Sequence, residues 1–157
     1  MQAEPMRAIR VLIDTNLLVL LVVGRTGQHL ISKHRRLQAF TIDDYGRLDE
    51  ILSAIDQVVV TPNTLTETSN LLAQHGEPER SRFFDVFRYL IGVSQEIRIA
   101  SVQAAQNPQF VRLGLTDAAV LEVVSAETPL LTADLPLFLA AASKDYDAAF
   151  NFWHLTS

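Results

Sequence analysis

Short apolar runs alternate along this chain with longer segments of helical periodicity, and that alternation predicts an α/β fold with a parallel sheet covered by helices on both faces. Residues 9–13 read as a buried strand, and residues 16–23 as a buried helix stopped by Gly24 and Gly27. Residues 28–39 read as helical and basic. A helix over 43–55 places Leu48, Ile51, Leu52 and Ile55 at helical spacing, and 57–60 is the second strand. Thr61 then caps a helix that has Pro62 in its first turn, where a missing N–H costs nothing, and that ends near Gly76. Pro78 and Glu79 open the next helix. Its Phe83, Phe84, Phe87, Leu90 and Ile91 make one apolar stripe ending near Gly92, read as core, with a dimer or partner surface as the alternative. Ile97 and Ile99 alternate with polar neighbours as in a short strand. Pro108 breaks the chain, Thr116 is placed as the cap of a helix starting at Asp117, and 129–132 forms a buried strand. Asp134 and Pro136 open a helix into Ala142, and Phe150, Phe152 and Trp153 suggest a final strand. No linker interrupts residues 1–157, so one domain is expected.

Four acids stand at the borders of these elements. Asp14 closes Val11-Leu12-Ile13, and Asp134 follows Leu130-Leu131-Thr132 with the same order of strand, acid, helix. Asp117 opens the apolar helix Ala118-Ala119-Val120-Leu121. Glu67 lies on the helix after Val58-Val59-Val60, on one face with Asn63 and Asn70, while Leu65 and Leu72 face the sheet. Each acid alone has an ordinary explanation: an N-cap for Asp14 and Asp134, a favourable first-turn charge for Asp117, a solvated helix face for Glu67. Strand ends in α/β folds converge at one edge of the sheet, however, and carboxylates gathered there resist ionising together without a cation. The pattern therefore points to a site for a hard divalent metal bound through oxygen.

Composition changes this picture in three ways. With 157 residues and 48% hydrophobic content the chain can bury a proper core, and disorder is excluded. The absence of cysteine removes disulfides, thiolate metal sites and cysteine nucleophiles, and is compatible with a cytoplasmic location. A net charge of −5 argues against generic nucleic-acid binding, but less so once four acids are assigned to bound cations. The apolar stretch 17–23 is far shorter than the roughly 20 residues of a membrane span, so no membrane association is expected. The histidines lack metal-ligand spacing, and no Gly-rich phosphate loop or serine elbow occurs.

The motifs Leu-Ile-Asp14-Thr15-Asn16, Thr-Glu67, Leu-Thr-Asp117-Ala-Ala and Leu-Leu-Thr132-Ala-Asp134, in that order, resemble those of the PIN domain over nearly the whole chain. That resemblance implies a parallel sheet of about five strands between helices and an acidic metal pocket. It implies a Mg²⁺- or Mn²⁺-dependent ribonuclease, with Asp14, Glu67, Asp117 and Asp134 as metal-binding and catalytic acids and with Asn16 and Thr132 as supporting polar residues on the substrate side. Many bacterial members are VapC-type toxins, dimeric and paired with a small antitoxin; the partners implied are thus RNA, a small antitoxin protein and a second copy of the chain. Two departures stand out. Pro136 occupies a position where many members carry a further acid, and the segment between Asp14 and Glu67 is longer by roughly one helix than in compact toxins.

No acid occurs between Thr15 and Ile42, an interval that carries Arg25, Lys33, Arg35 and Arg36. Lys33, Arg35 and Arg36 are candidate contacts to an RNA backbone, with an ordinary solvated face as the alternative. Two rival functions follow from the same residues. One is a catalytically silent module that binds RNA or protein, favoured by Pro136. The other is a phosphatase with Asp14 as nucleophile, disfavoured because Asn16 stands where a second aspartate is needed.

Overall fold

The computed structural model describes residues 8–155 as an α/β domain built on one five-stranded parallel sheet. The strands are β1 (Arg10–Ile13), β2 (Gln57–Val60), β3 (Gln95–Glu96), β4 (Leu130–Thr132) and β5 (Ala149–Asn151), in the order β3-β2-β1-β4-β5. The helices are α1 (Thr15–Thr26), α2 (Ile42–Ser53), α3 (Pro62–Leu72), α4 (Glu79–Val93), α5 (Ser101–Ala104), α6 (Phe110–Leu113), α7 (Leu115–Val123) and α8 (Leu135–Lys144). Among the described residues, no helix is long and apolar enough to cross a membrane.

Side chains alternate across the central strands, so each strand feeds two cores. Val11, Ile13, Val60 and Leu131 join the core under α1–α4, whereas Leu12, Val59 and Leu130 join the one under α7 and α8. This double burial explains why the central strands read as unbroken apolar runs. Helix α1 lies in the first core, with every residue from Leu17 to Gly24 buried. Phe83, Phe87 and Leu90 of α4 pack there too, which makes the aromatic stripe core; Ile91 at its end is exposed.

The sheet order fixes the geometry of the site. From β1 the chain moves outward to β2 and β3, and β4 and β5 are added on the other side of β1. Strand order thus reverses between β1 and β4, and the crevice beyond their carboxyl ends is where open α/β sheets bind ligands. Asp14 and Asp134 directly follow those two strands.

Several boundaries depart from the sequence reading. Gly24 does not stop α1. It stands within the helix because the Tyr45 ring packs on it: a Cβ there would lie 2.2 Å from Tyr45 Cδ2. Residues 28–39 form two short 3₁₀ turns, Gln28–Lys33 and Arg35–Leu37. Through and just beyond these turns Ile31, His34, Leu37 and Phe40 are buried at every third position, the period of a 3₁₀ helix, and Leu30 is buried beside them. Helix α7 starts at Leu115, not Asp117. Gly114, at φ 88°, makes the entry turn and Thr116 is no cap. Strand β3 precedes Ile97, whose N–H still bonds the Val60 carbonyl at 2.9 Å. The final strand ends at Asn151, and Phe152 and Trp153 lie in the 3₁₀ turn Phe152–Leu155.

Candidate metal centre

Asp14 is only 5% exposed, at the junction of β1 and α1. Its Oδ1 accepts the Leu17 N–H at 3.0 Å and caps α1. Its Oδ2 accepts the Thr132 hydroxyl and the Ala133 N–H (3.3 Å), so three donors, one from α1 and two from the end of β4, hold one carboxylate. These bonds favour the ionised form, yet burial outweighs them and Asp134 adds to it, and the pKa is raised to about 6. That shift costs about 3 kcal/mol at neutral pH. A Ser, Thr or Asn would cap the helix without that cost, so capping alone does not account for an aspartate here.

Asp134 repeats the arrangement after β4. It caps α8 by accepting the Leu137 N–H at 2.9 Å, and its own N–H donates to the Thr132 hydroxyl oxygen at 3.0 Å. Thr132 therefore bridges the two strand-end acids. It is fully buried and its hydroxyl hydrogen is committed to Asp14, so it orients an acid and does not face substrate, contrary to the substrate-side role expected of it.

Asp117 enters from α7, and Glu67 from α3, which packs on α7. Burial, followed in order by the charges of Asp134, Glu67 and Asp14, pushes the Asp117 pKa up to about 7. All four carboxylates thus act on one field at the carboxyl edge of the sheet. Asn63, Glu67 and Asn70 share a groove of ≈ 390 Å³ with Thr116, as their helical spacing requires. Among the described residues none of the four acids is paired with a basic side chain; the ion pair present, Arg25–Asp49, lies elsewhere. No three His, Cys, Asp or Glu side chains among the described residues already stand close enough together to hold a metal ion. The chemistry of the donor set nonetheless fits a hard divalent cation: the donors are oxygen, two of the acids have raised pKa values, and they lack a basic counter-charge.

The basic stretch divides in two. Arg36 donates from Nε to Asn16 Oδ1 at 3.1 Å, beside Asp14. Arg35 and Arg36 line a cleft of ≈ 480 Å³ with Asn16, Phe40, Ala133 and Trp153. Lys33 instead borders a separate depression with His34 and His75, which Arg35 also lines. His34 is buried, stacks on His75 with ring centroids 5.6 Å apart, and accepts the Arg36 N–H on Nδ1 at 3.1 Å. It thereby fixes the turn carrying both arginines. Trp153, read from the sequence as part of the last strand, and Phe40, given no role there, also line the cleft with Arg35 and Arg36.

Among solved structures, a crystal structure of PAE2754 from Pyrobaculum aerophilum is similar to this chain, with a TM-score of 0.59 at 16% identity, covering 94% of this chain and 93% of that one. At that identity the likeness shows the fold alone. No family model matches the chain, and neither does any curated protein.

Proposed function

We propose that the protein is a Mg²⁺- or Mn²⁺-dependent ribonuclease of the PIN type, with Asp14, Glu67, Asp117 and Asp134 holding the metal. The observation that carries this reading is the placement of Asp117 at the carboxyl edge of the sheet, where burial first and then the charges of Asp134, Glu67 and Asp14 raise its pKa. Asp14, Glu67, Asp117 and Asp134 would hold a divalent cation, which would supply acidity to a water and positive charge to the scissile phosphate. The chain's own groups prepare the rest. Thr132 and the Ala133 N–H orient Asp14, Leu137 holds Asp134, and Arg35 and Arg36 offer charge to the RNA backbone.

The PIN reading extends to a VapC-like toxin, cytoplasmic, homodimeric and silenced by a small antitoxin. The partly exposed α4 residues Tyr89, Ile91 and Val93 give such partners an apolar surface. The competing reading is a catalytically silent module binding RNA or protein. It is favoured by Pro136 and by acids that do not stand at coordinating distance without a ligand. Incubating purified protein with labelled single-stranded RNA separates the two. The nuclease reading predicts cleavage with Mn²⁺, none with chelator, and none by Asp14→Asn at unchanged fold. Binding without cleavage under either metal supports the silent module.

A further inference from the structure

The cleft beside the acids has the parts of a nucleotide seat. Trp153 stacks on Phe40 with ring centroids 5.2 Å apart and planes at 19°. Its indole N–H donates to the Ala133 carbonyl at 2.9 Å, so the ring is fixed in place while remaining 38% exposed. Ala133 is also the residue whose N–H binds Asp14, which makes the floor of the cleft continuous with the acid pocket. On the facing wall the Arg36 guanidinium is oriented by Asn16, and His34 holds the turn that carries Arg35 and Arg36. A rigid indole beside two arginines, one of them oriented by Asn16, matches a base joined to a phosphodiester.

We propose that this cleft binds the nucleotide next to the scissile phosphate of a single-stranded RNA, with its base on Trp153 and its phosphate on Arg35 and Arg36. The assignment rests on the ribonuclease reading for its orientation toward the acids. It selects unpaired strands, because a base already stacked in a duplex cannot lie on the indole. Ring stacking and phosphate pairing do not read the 2′-hydroxyl, so a deoxyribo strand of the same sequence fits as well.

Trp153 is the one tryptophan of the chain, so its fluorescence reports this cleft alone. The experiment titrates wild-type protein in EDTA with a ten-nucleotide A/U strand as RNA, as DNA and as duplex RNA. Anisotropy of a labelled strand is then followed for the variants. Both single strands are expected to quench the indole and the duplex to leave it bright. Trp153→Leu should weaken binding about 5- to 100-fold, and Trp153→Phe should restore part of it. Arg36→Gln, at an exposed position, should lower the slope of log affinity against log salt by about 1. No quenching, equal quenching by duplex, quenching by DNA alone, or unchanged affinity in Trp153→Leu with a wild-type melting temperature would each overturn the assignment. Because binding is read without metal, the two claims fail separately. Quenching with no Mn²⁺-dependent cleavage removes the nuclease and keeps the cleft; cleavage with unaltered KM in Trp153→Leu removes the cleft and keeps the nuclease.

Discussion

The two ends of the sheet contrast sharply. Toward the amino ends of the strands lies a cleft of ≈ 570 Å³ lined mainly by apolar residues, among them Ile9, Val11, Ile51, Ile55 and Phe150. At the carboxyl ends the depressions are smaller, ≈ 480 and ≈ 390 Å³, and more polar than the first. Size and apolarity would select the first as the binding site. We select the second, because bond-breaking needs charge where charge is costly, and the raised acids Asp14 and Asp117 are there. At the other end Arg10 is committed to Gln95 (3.1 Å) and Thr128 (2.7 Å), which ties neighbouring segments together. Under the proposed function, topology and uncompensated charge, and not volume, mark the place of the chemistry.

The largest test of that contrast is catalytic. Asp14→Asn should lower the initial rate of Mn²⁺-dependent RNA cleavage by more than ~100-fold, while Phe150→Ser in the apolar cleft changes it less than about two-fold. Similar losses from both variants would erase the distinction between the edges.

A second test uses proton linkage in metal-free protein. Asp14 moves from 3.8 to about 6 on folding, so the native state holds its proton more tightly than the unfolded chain. Its contribution to stability is therefore full below pH 3.8 and is lost as pH rises through about 6; Asp117 follows through about 7. Relative to Asp14→Asn, the wild type should lose about 3 kcal/mol between pH 3.5 and 7.5, roughly 6–12 °C in melting temperature. A parallel pH profile for the two proteins, followed by calorimetry, would remove the buried charge from the account.

Metal linkage comes next in size. At a Mn²⁺ concentration 100 times Kd, binding should add about 2.7 kcal/mol, or roughly 5–10 °C for a chain of this length. Asp117→Asn should abolish most of that shift and Phe150→Ser none of it, by differential scanning fluorimetry. The smallest effect separates neighbours on one basic stretch. Arg36→Glu should weaken RNA binding more than Lys33→Glu, because Arg36 lines the cleft at the carboxyl edge and Lys33 faces His34 and His75. Equal losses in a filter-binding assay would mean that charge alone matters there.

Much of the fold was legible because its central strands are buried on both faces and therefore stand out as apolar runs. Asp14 and Asp134 were legible for the same reason, since an acid directly after such a run must emerge at the strand's carboxyl end. Glu67 was placed by its spacing from Asn63 and Asn70. The 3₁₀ turns were not legible, because a three-residue period over a dozen positions resembles an amphipathic helix. Nor was the division between Lys33 and Arg36, the commitment of Thr132 to Asp14, or the Trp153–Phe40 stack. These depend on which distant side chain lies opposite, and spacing along the chain carries no trace of that.

The central claim is that these four carboxylates form one divalent-metal pocket. Crystals soaked in Mn²⁺ test it most directly, through the anomalous difference map at the manganese edge. The account predicts a peak bounded by oxygens of Asp14, Asp117 and Asp134, with Glu67 adjoining it. A map without a peak there, at manganese concentrations that saturate surface sites, would contradict it.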